Sequence, residues 1–177
     1  MMMRAAGVAV AALYGVMLGC QPAQAPVPLI SMEEGHTFAL VQSPPGARLH
    51  FTVEHEAWIA GDAYMQVQVT LKEGDEIREA GHLFVRQTED GLYWRLTDSA
   101  HTLLQPGFFQ HPTATGATYA FGDARYRVGR EPRVVDGVSR DVIVYEQLKE
   151  GVEALRVSFI PGIGLVGIES GAFRFER

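Results

Sequence analysis

The sequence predicts an all-β fold: an antiparallel meander curled into a half-barrel or barrel, after an N-terminal signal peptide. Three observations predict it. Apolar residues recur with a period of two beyond residue 29, the mark of half-buried antiparallel strands. Turn residues separate these runs at hairpin spacing. The runs make about nine to eleven strands, and a meander of that size curls or closes rather than lying flat.

The chain has 177 residues, 47% of them apolar and 20% charged. That suits one globular domain with a sizeable core. The formal net charge is −6 and no Lys/Arg run occurs, so the basic patch that nucleic-acid binding needs is missing. Nineteen glycines and nine prolines supply many turns, which favours short strands over long helices.

The first element is the export signal, residues 1–19. Arg4 supplies one positive charge, and Ala5 to Gly19 are uncharged and almost wholly apolar. A helix of that length rises roughly 22 Å, short of a hydrocarbon core of about 30 Å. It fits a signal-peptide core better than a membrane span. Two cleavage sites compete. One follows Ala23-Gln24-Ala25, but Pro26 would then sit just after the cut. The other precedes Cys20. Met17-Leu18-Gly19-Cys20 resembles the lipobox of bacterial lipoproteins, with Met17 where leucine is usual. That resemblance implies lipidation of Cys20, which becomes the first mature residue. Cys20 is the single cysteine, so no internal disulfide is possible, and lipid would cap a thiol otherwise exposed to an oxidising compartment.

Residues 20–28 then hold the lipidated cysteine and a Pro-rich spacer, extended over roughly 25 Å at about 3.1 Å per residue. Residues 29–177 form a single β domain. Strands are expected near 36–42, 47–55, 57–61, 63–72, 76–88, 91–97, 101–104, 117–121, 123–131, 139–148, 151–160, 163–168 and 172–176, some of them merging. Leu49, Phe51 and Val53 face one way against His50, Thr52 and Glu54. Met65, Val67, Val69 and Leu71 alternate with Gln66, Gln68 and Thr70. Val142 and Val144 oppose Ile143 and Tyr145, and Leu155, Val157 and Phe159 oppose Arg156, Ser158 and Ile160. Phe173 and Phe175 flank Arg174. Residues 99–115 read as a strand end followed by a long loop.

Three phrases resemble a loose group of secreted bacterial β-proteins, mostly lipoproteins of unassigned function. Leu29 to Leu40 is similar to their opening phrase, with His36, Phe38 and Leu40 where asparagine, tryptophan and tyrosine are usual. Asp90-Gly91-Leu92-Tyr93-Trp94 matches a second phrase. Ile160-Pro161-Gly162-Ile163-Gly164-Leu165-Val166-Gly167-Ile168-Glu169 is close to the closing one, with Gly167 replacing a common lysine. The resemblance implies a curved antiparallel sheet, similar to the half-barrels of lipoprotein carriers, and it implies no catalytic residues. Gly164 and Gly167, three apart, fall on opposite faces of a regular strand. They provide either sheet curvature or a bare patch for a ligand.

No catalytic, cofactor or metal residue is assigned. Of six histidines, the densest group is His50 to Glu56, including His55. On a regular strand His50, Glu54 and Glu56 share a face, but His50 and Glu54 lie about 13 Å apart, too far for one ion. Asp98-Ser99-Ala100-His101 holds the residue types of a triad in a row, where side chains seldom converge. No nucleophile elbow, P-loop or dinucleotide fingerprint occurs. Trp58, Phe84, Tyr93, Trp94, Phe108, Phe109, Tyr119, Phe121 and Tyr126 are available to fill a core. The Phe108-Phe109 pair, between Pro106 and Pro112, reads either as a contact surface or as a loop folded back on itself.

The expected function is that of a cell-envelope lipoprotein, held to membrane lipid through Cys20 with its domain outside the cytoplasm. It is not expected to be an enzyme or to carry a cofactor. Its curved sheet would bind a hydrophobic small molecule or an envelope protein. The alternatives are a structural or assembly component of an envelope complex, and a hydrolase with an unrecognised site, built for instance on His101 or His111.

Overall fold

A computed structural model describes residues 28–43, 46–96, 107–111, 114–151, 153–171 and 173–177. The signal peptide, Cys20, the 101–104 strand and the Asp98–His101 segment lie outside the described residues.

Among the described residues twelve strands form one antiparallel sheet: β1 (Thr37–Gln42), β2 (Ala47–Ile59), β3 (Asp62–Glu73), β4 (Glu76–Gln87), β5 (Gly91–Leu96), β6 (Gly107–Gln110), β7 (Thr118–Phe121), β8 (Ala124–Val135), β9 (Val138–Leu148), β10 (Leu155–Ile160), β11 (Gly164–Ser170) and β12 (Phe173–Glu176). Their order is β6-β5-β4-β3-β2-β1-β12-β11-β10-β9-β8-β7. The first and last strands therefore meet in the middle of the sheet. The two outermost strands, β6 and β7, are neighbours in sequence, and the sheet curls into a nearly closed barrel. Closure answers the edge problem that any long meander faces.

The turns explain the tight hairpins. Ala60-Gly61 joins β2 to β3 and Asp136-Gly137 joins β8 to β9, all four residues at positive φ. Two-residue loops of that handedness match strand twist.

Inward side chains pack into one cluster that includes Leu49, Phe51, Val53, Val67, Val69, Phe109, Tyr145, Val157 and Phe159. Leu29 and Ile30 belong to it as well, entering at the barrel end where β1 begins. The Leu29 N–H donates to Gln87 Oε1, and the Pro28 carbonyl accepts from Gly162 N–H. The predicted alternation therefore locates the core in β2, β3 and β10. In β9 both faces are buried: Ile143 and Tyr145 join the main cluster, while Val142 and Val144 join a second one with Val135, Ile160 and Val166.

The structure corrects four expectations. Residues 47–55 and 57–61 merge, as expected of some of these strands, but the regular alternation breaks at a bulge between Val53 and Glu56. Two residues there oppose one, so Glu56 pairs with Met65 and leaves the face that His50 and Glu54 share. The loop expected over 99–115 contains β6, which pairs with β5. Trp58, placed among the core aromatics, is 71% exposed. Finally, β11 bulges opposite Ser158 and Phe159, so Gly164 faces Ile160 and Gly167 faces Ser158. The strand is therefore not regular between them, and a Cβ on Gly164 would meet Ile30 whereas one on Gly167 would meet Arg133.

Candidate functional site

The region where β6 and β7 approach each other combines aromatic surface, a groove and unusual hydrogen bonding. It is built from the interior outwards. Phe109 is fully buried, and its ring meets those of Trp94, Tyr126, Tyr145 and Phe159 at centroid distances of 4.6, 6.2, 5.2 and 5.1 Å. One side chain of β6 thus touches β5 on one side and β8, β9 and β10 on the other. Gly107 makes room for this packing, since a Cβ there would lie 2.7 Å from the Trp94 indole nitrogen.

Phe108 alternates with Phe109 and so faces outwards, stacked on Tyr93 at 4.2 Å. Tyr119 pairs with Tyr126, stacks on it at 4.9 Å, and packs against the inner cluster. Phe121, two residues on, shares the inward face of β7. Yet its ring meets Phe108 at 5.4 Å and Tyr93 at 5.9 Å, on the outer side of β6 and β5. The inner face of β7 therefore overlaps the outer face of β6, as in a rolled sheet whose free edge laps over the start.

Hydrogen bonds fasten the lap. The Tyr119 hydroxyl donates to the Phe108 carbonyl at 2.7 Å and accepts from the Gln110 N–H at 3.2 Å. The Tyr145 hydroxyl donates to the Gln110 carbonyl at 2.6 Å. Two phenols thus satisfy edge groups of β6 that a neighbouring strand would otherwise take. Burial holds the Tyr119 hydroxyl well above the usual phenol range, partly offset by its bond to Gln110. Tyr126 is raised too, again chiefly by burial.

Beside the lap lies a groove of about 430 Å³ on the outer surface, lined by Asp62, Tyr64, Arg86, Tyr93, Arg95 and Phe121 among others. Phe121 is 39% exposed. Arg86 pairs with Asp62 at 2.7 Å and lies 5.9 Å over the Tyr64 ring. Arg95 is exposed. The groove offers aromatic faces and guanidinium groups together, a lining suited to a molecule with an apolar body and an anionic end.

The other candidate residues are dispersed. Glu54 accepts from Gln66 Nε2 at 2.8 Å and lies 3.6 Å from His82 Nε2. His50 is held below the usual imidazole range by burial and by Lys72 and Arg48. His111 donates its backbone N–H to the Asp90 carbonyl. Among the described residues, no three His, Cys, Asp or Glu side chains gather as a metal site would require. The bare side of Gly167 is filled by the chain itself, since a Cβ there would lie 2.8 Å from Arg133 Nη1. Arg133 also pairs with Glu131 and, at 3.2 Å, with Glu176. These contacts fold the end of the β8–β9 hairpin over the outer face of β10–β12. The Arg133 hydrogen bond holds Glu131 below the usual carboxylate range.

Sequence reasoning missed the lap because alternation gives the face of a strand but not which strand end overlies another. Phe108-Phe109 flanked by Pro106 and Pro112 was its visible trace.

No family profile and no curated relative matches the chain. Two solved structures share its fold. One is a presumed exported protein with a YmcC-like fold from Bacteroides fragilis, with TM-score 0.53 and 9% identity, covering 85% of this chain and 97% of that one. The other is a presumed lipoprotein from Parabacteroides distasonis, with TM-score 0.53 and 11% identity, covering 86% and 96%. At such identities the likeness shows the fold alone.

Proposed function

We propose that the chain is an exported, lipid-anchored envelope protein that works by binding rather than by catalysis. Its ligand is an amphipathic small molecule seated in the outer groove beside the β6–β7 lap. The observation that carries this reading is the half-exposed aromatic shelf of Tyr93, Phe108 and Phe121 next to Arg86 and Arg95. The inward positions are taken by packed side chains, which favours the outer surface over the lumen as the place of binding. The lipobox at Cys20 supports export and anchoring, as does the fold shared with proteins named as exported or as lipoproteins.

Anilinonaphthalene sulfonate, an aromatic body with one anionic group, is a direct probe. The folded domain should bind it saturably at one site. Phe121→Asp should weaken binding at least about tenfold, a loss of roughly 1.4 kcal/mol, and Arg95→Ala, which leaves the ring contacts of the lap in place, should weaken it with the melting temperature nearly unchanged. Saturable binding indifferent to Phe121→Asp and to Arg95→Ala would overturn the assignment. The anchor is tested separately: Cys20→Ser should move the protein from the membrane to the soluble fraction.

A further inference from the structure

We infer that the barrel stands end-on upon the bilayer that holds its anchor, with its β2–β3 hairpin tip touching the lipid headgroup layer. This rests on the lipid-anchor reading of Cys20 and goes beyond it, because a tether alone sets no orientation.

The strands alternate in direction, so one barrel end collects the turns after β2, β4, β8 and β10, the entry of the chain before β1, and the end of β12. The described chain begins at Pro28, whose carbonyl bonds to Gly162 in the β10–β11 turn of this same end. Eight residue steps separate Cys20 from Pro28, a reach under about 29 Å at no more than ~3.6 Å each. A 12-residue strand such as β3 is longer, roughly 40 Å at ~3.3 Å per residue. The short tether thus leaves from the end that it brings towards the membrane.

That end carries Trp58. Trp58 pairs with Ala63, and the β3–β4 register sets Met65 opposite Val85, which puts Ala63 level with Gln87. Gln87 accepts the Leu29 N–H. Trp58 therefore stands at the level where the tether enters the barrel, 71% exposed, its indole N–H donating to Glu56. At the opposite end, by contrast, the exposed Ile77 sits beside Arg78, which is paired to Glu73 and Glu76. Tryptophan is the residue favoured at membrane–water interfaces, with its ring among headgroups and its N–H hydrogen-bonded. Exposed Glu33, Glu34, Glu89 and Asp90 at the tether end keep the contact shallow and favour zwitterionic over anionic lipid.

The test uses the full lipidated chain, purified from membranes and reconstituted into phosphatidylcholine vesicles brominated high on the acyl chains. The chain has two tryptophans, and the other, Trp94, is 2% exposed. Brominated lipid should quench a large part of the native emission and little of that of Trp58→Phe. Protein that floats with the vesicles but whose native emission is quenched no more than that of Trp58→Phe overturns the end-on contact and leaves the anchor standing. Protein that does not float overturns the anchor and the contact with it.

Discussion

The barrel closes twice, by two different means. Where β1 meets β12, the join is backbone to backbone: Val41 faces Glu176, Gln42 faces Phe175, and the Ser43 N–H donates to the Arg174 carbonyl at 2.8 Å. Where β6 meets β7, particular side chains make the join, with two phenols bonded to the β6 edge and a ring cluster above and below it. A ladder tolerates most residues that keep its register, whereas a lap depends on individual groups. The two seams should therefore respond very differently to single substitutions.

The largest effect is expected at Phe109. Its ring is the interior contact between β6 and the strands across the gap, and truncation leaves a cavity among four other aromatic side chains. Phe109→Ala should cost about 3–5 kcal/mol in urea denaturation. Next comes Tyr119→Phe, which keeps the ring stacking but leaves the Phe108 carbonyl and the Gln110 N–H without their phenol. A loss of about 1–3 kcal/mol is expected. Hydrogen exchange should show faster opening of the Gln110 amide, with the Val41 and Ser43 amides unaffected. Equal acceleration at both seams would mean that they open as one unit and would break the comparison.

How far the sequence discloses these seams depends on the kind of information each uses. Alternation in β2, β3 and β10 marks Leu49, Phe51, Val67, Val157 and Phe159 as inward, because a half-buried strand writes its environment into every second residue. Hairpin turns are equally legible, since Asp136-Gly137 and Gly61 supply the positive φ that a tight reversal needs. Bulges are not: nothing in His50 to Glu56 announces that Glu56 changes face. The lap is hidden for a similar reason. Tyr119 reads as one more alternating aromatic, and its hydroxyl gains meaning only when residues 108–110 are brought beneath it. Trp58 misled because a long hairpin can carry an apolar side chain past the rim of the barrel it belongs to.

The phenols also give the lap a pH dependence that the ladder lacks. Burial raises the Tyr119 pKa above the ordinary value near 10. The unfolded chain then loses this proton before the folded one does. The stabilising contribution is complete below pH 10 and is lost as pH rises through the folded value. The urea midpoint should therefore fall in the alkaline range. Tyr119→Phe should flatten that fall without abolishing it, because Tyr126 is raised as well. An identical alkaline slope in the variant would show that the seam phenol does not sense pH.

The smallest effect should come from Glu176→Gln, although it alters a residue in the middle of the β1–β12 seam. Glu176 pairs with Arg174 at 2.7 Å and with Arg133 at 3.2 Å. The Arg174 pair is largely solvated, and such pairs contribute little. The seam itself runs through backbone groups that glutamine leaves in place. Thermal unfolding should shift by no more than about 1 kcal/mol of stability, and Val41 exchange should stay slow. A larger loss would relocate the importance of Glu176 to Arg133, whose guanidinium fills the bare side of Gly167 and ties down the β8–β9 hairpin. In that case both closures would rest on named side chains, and the backbone ladder would not suffice to join the first strand to the last.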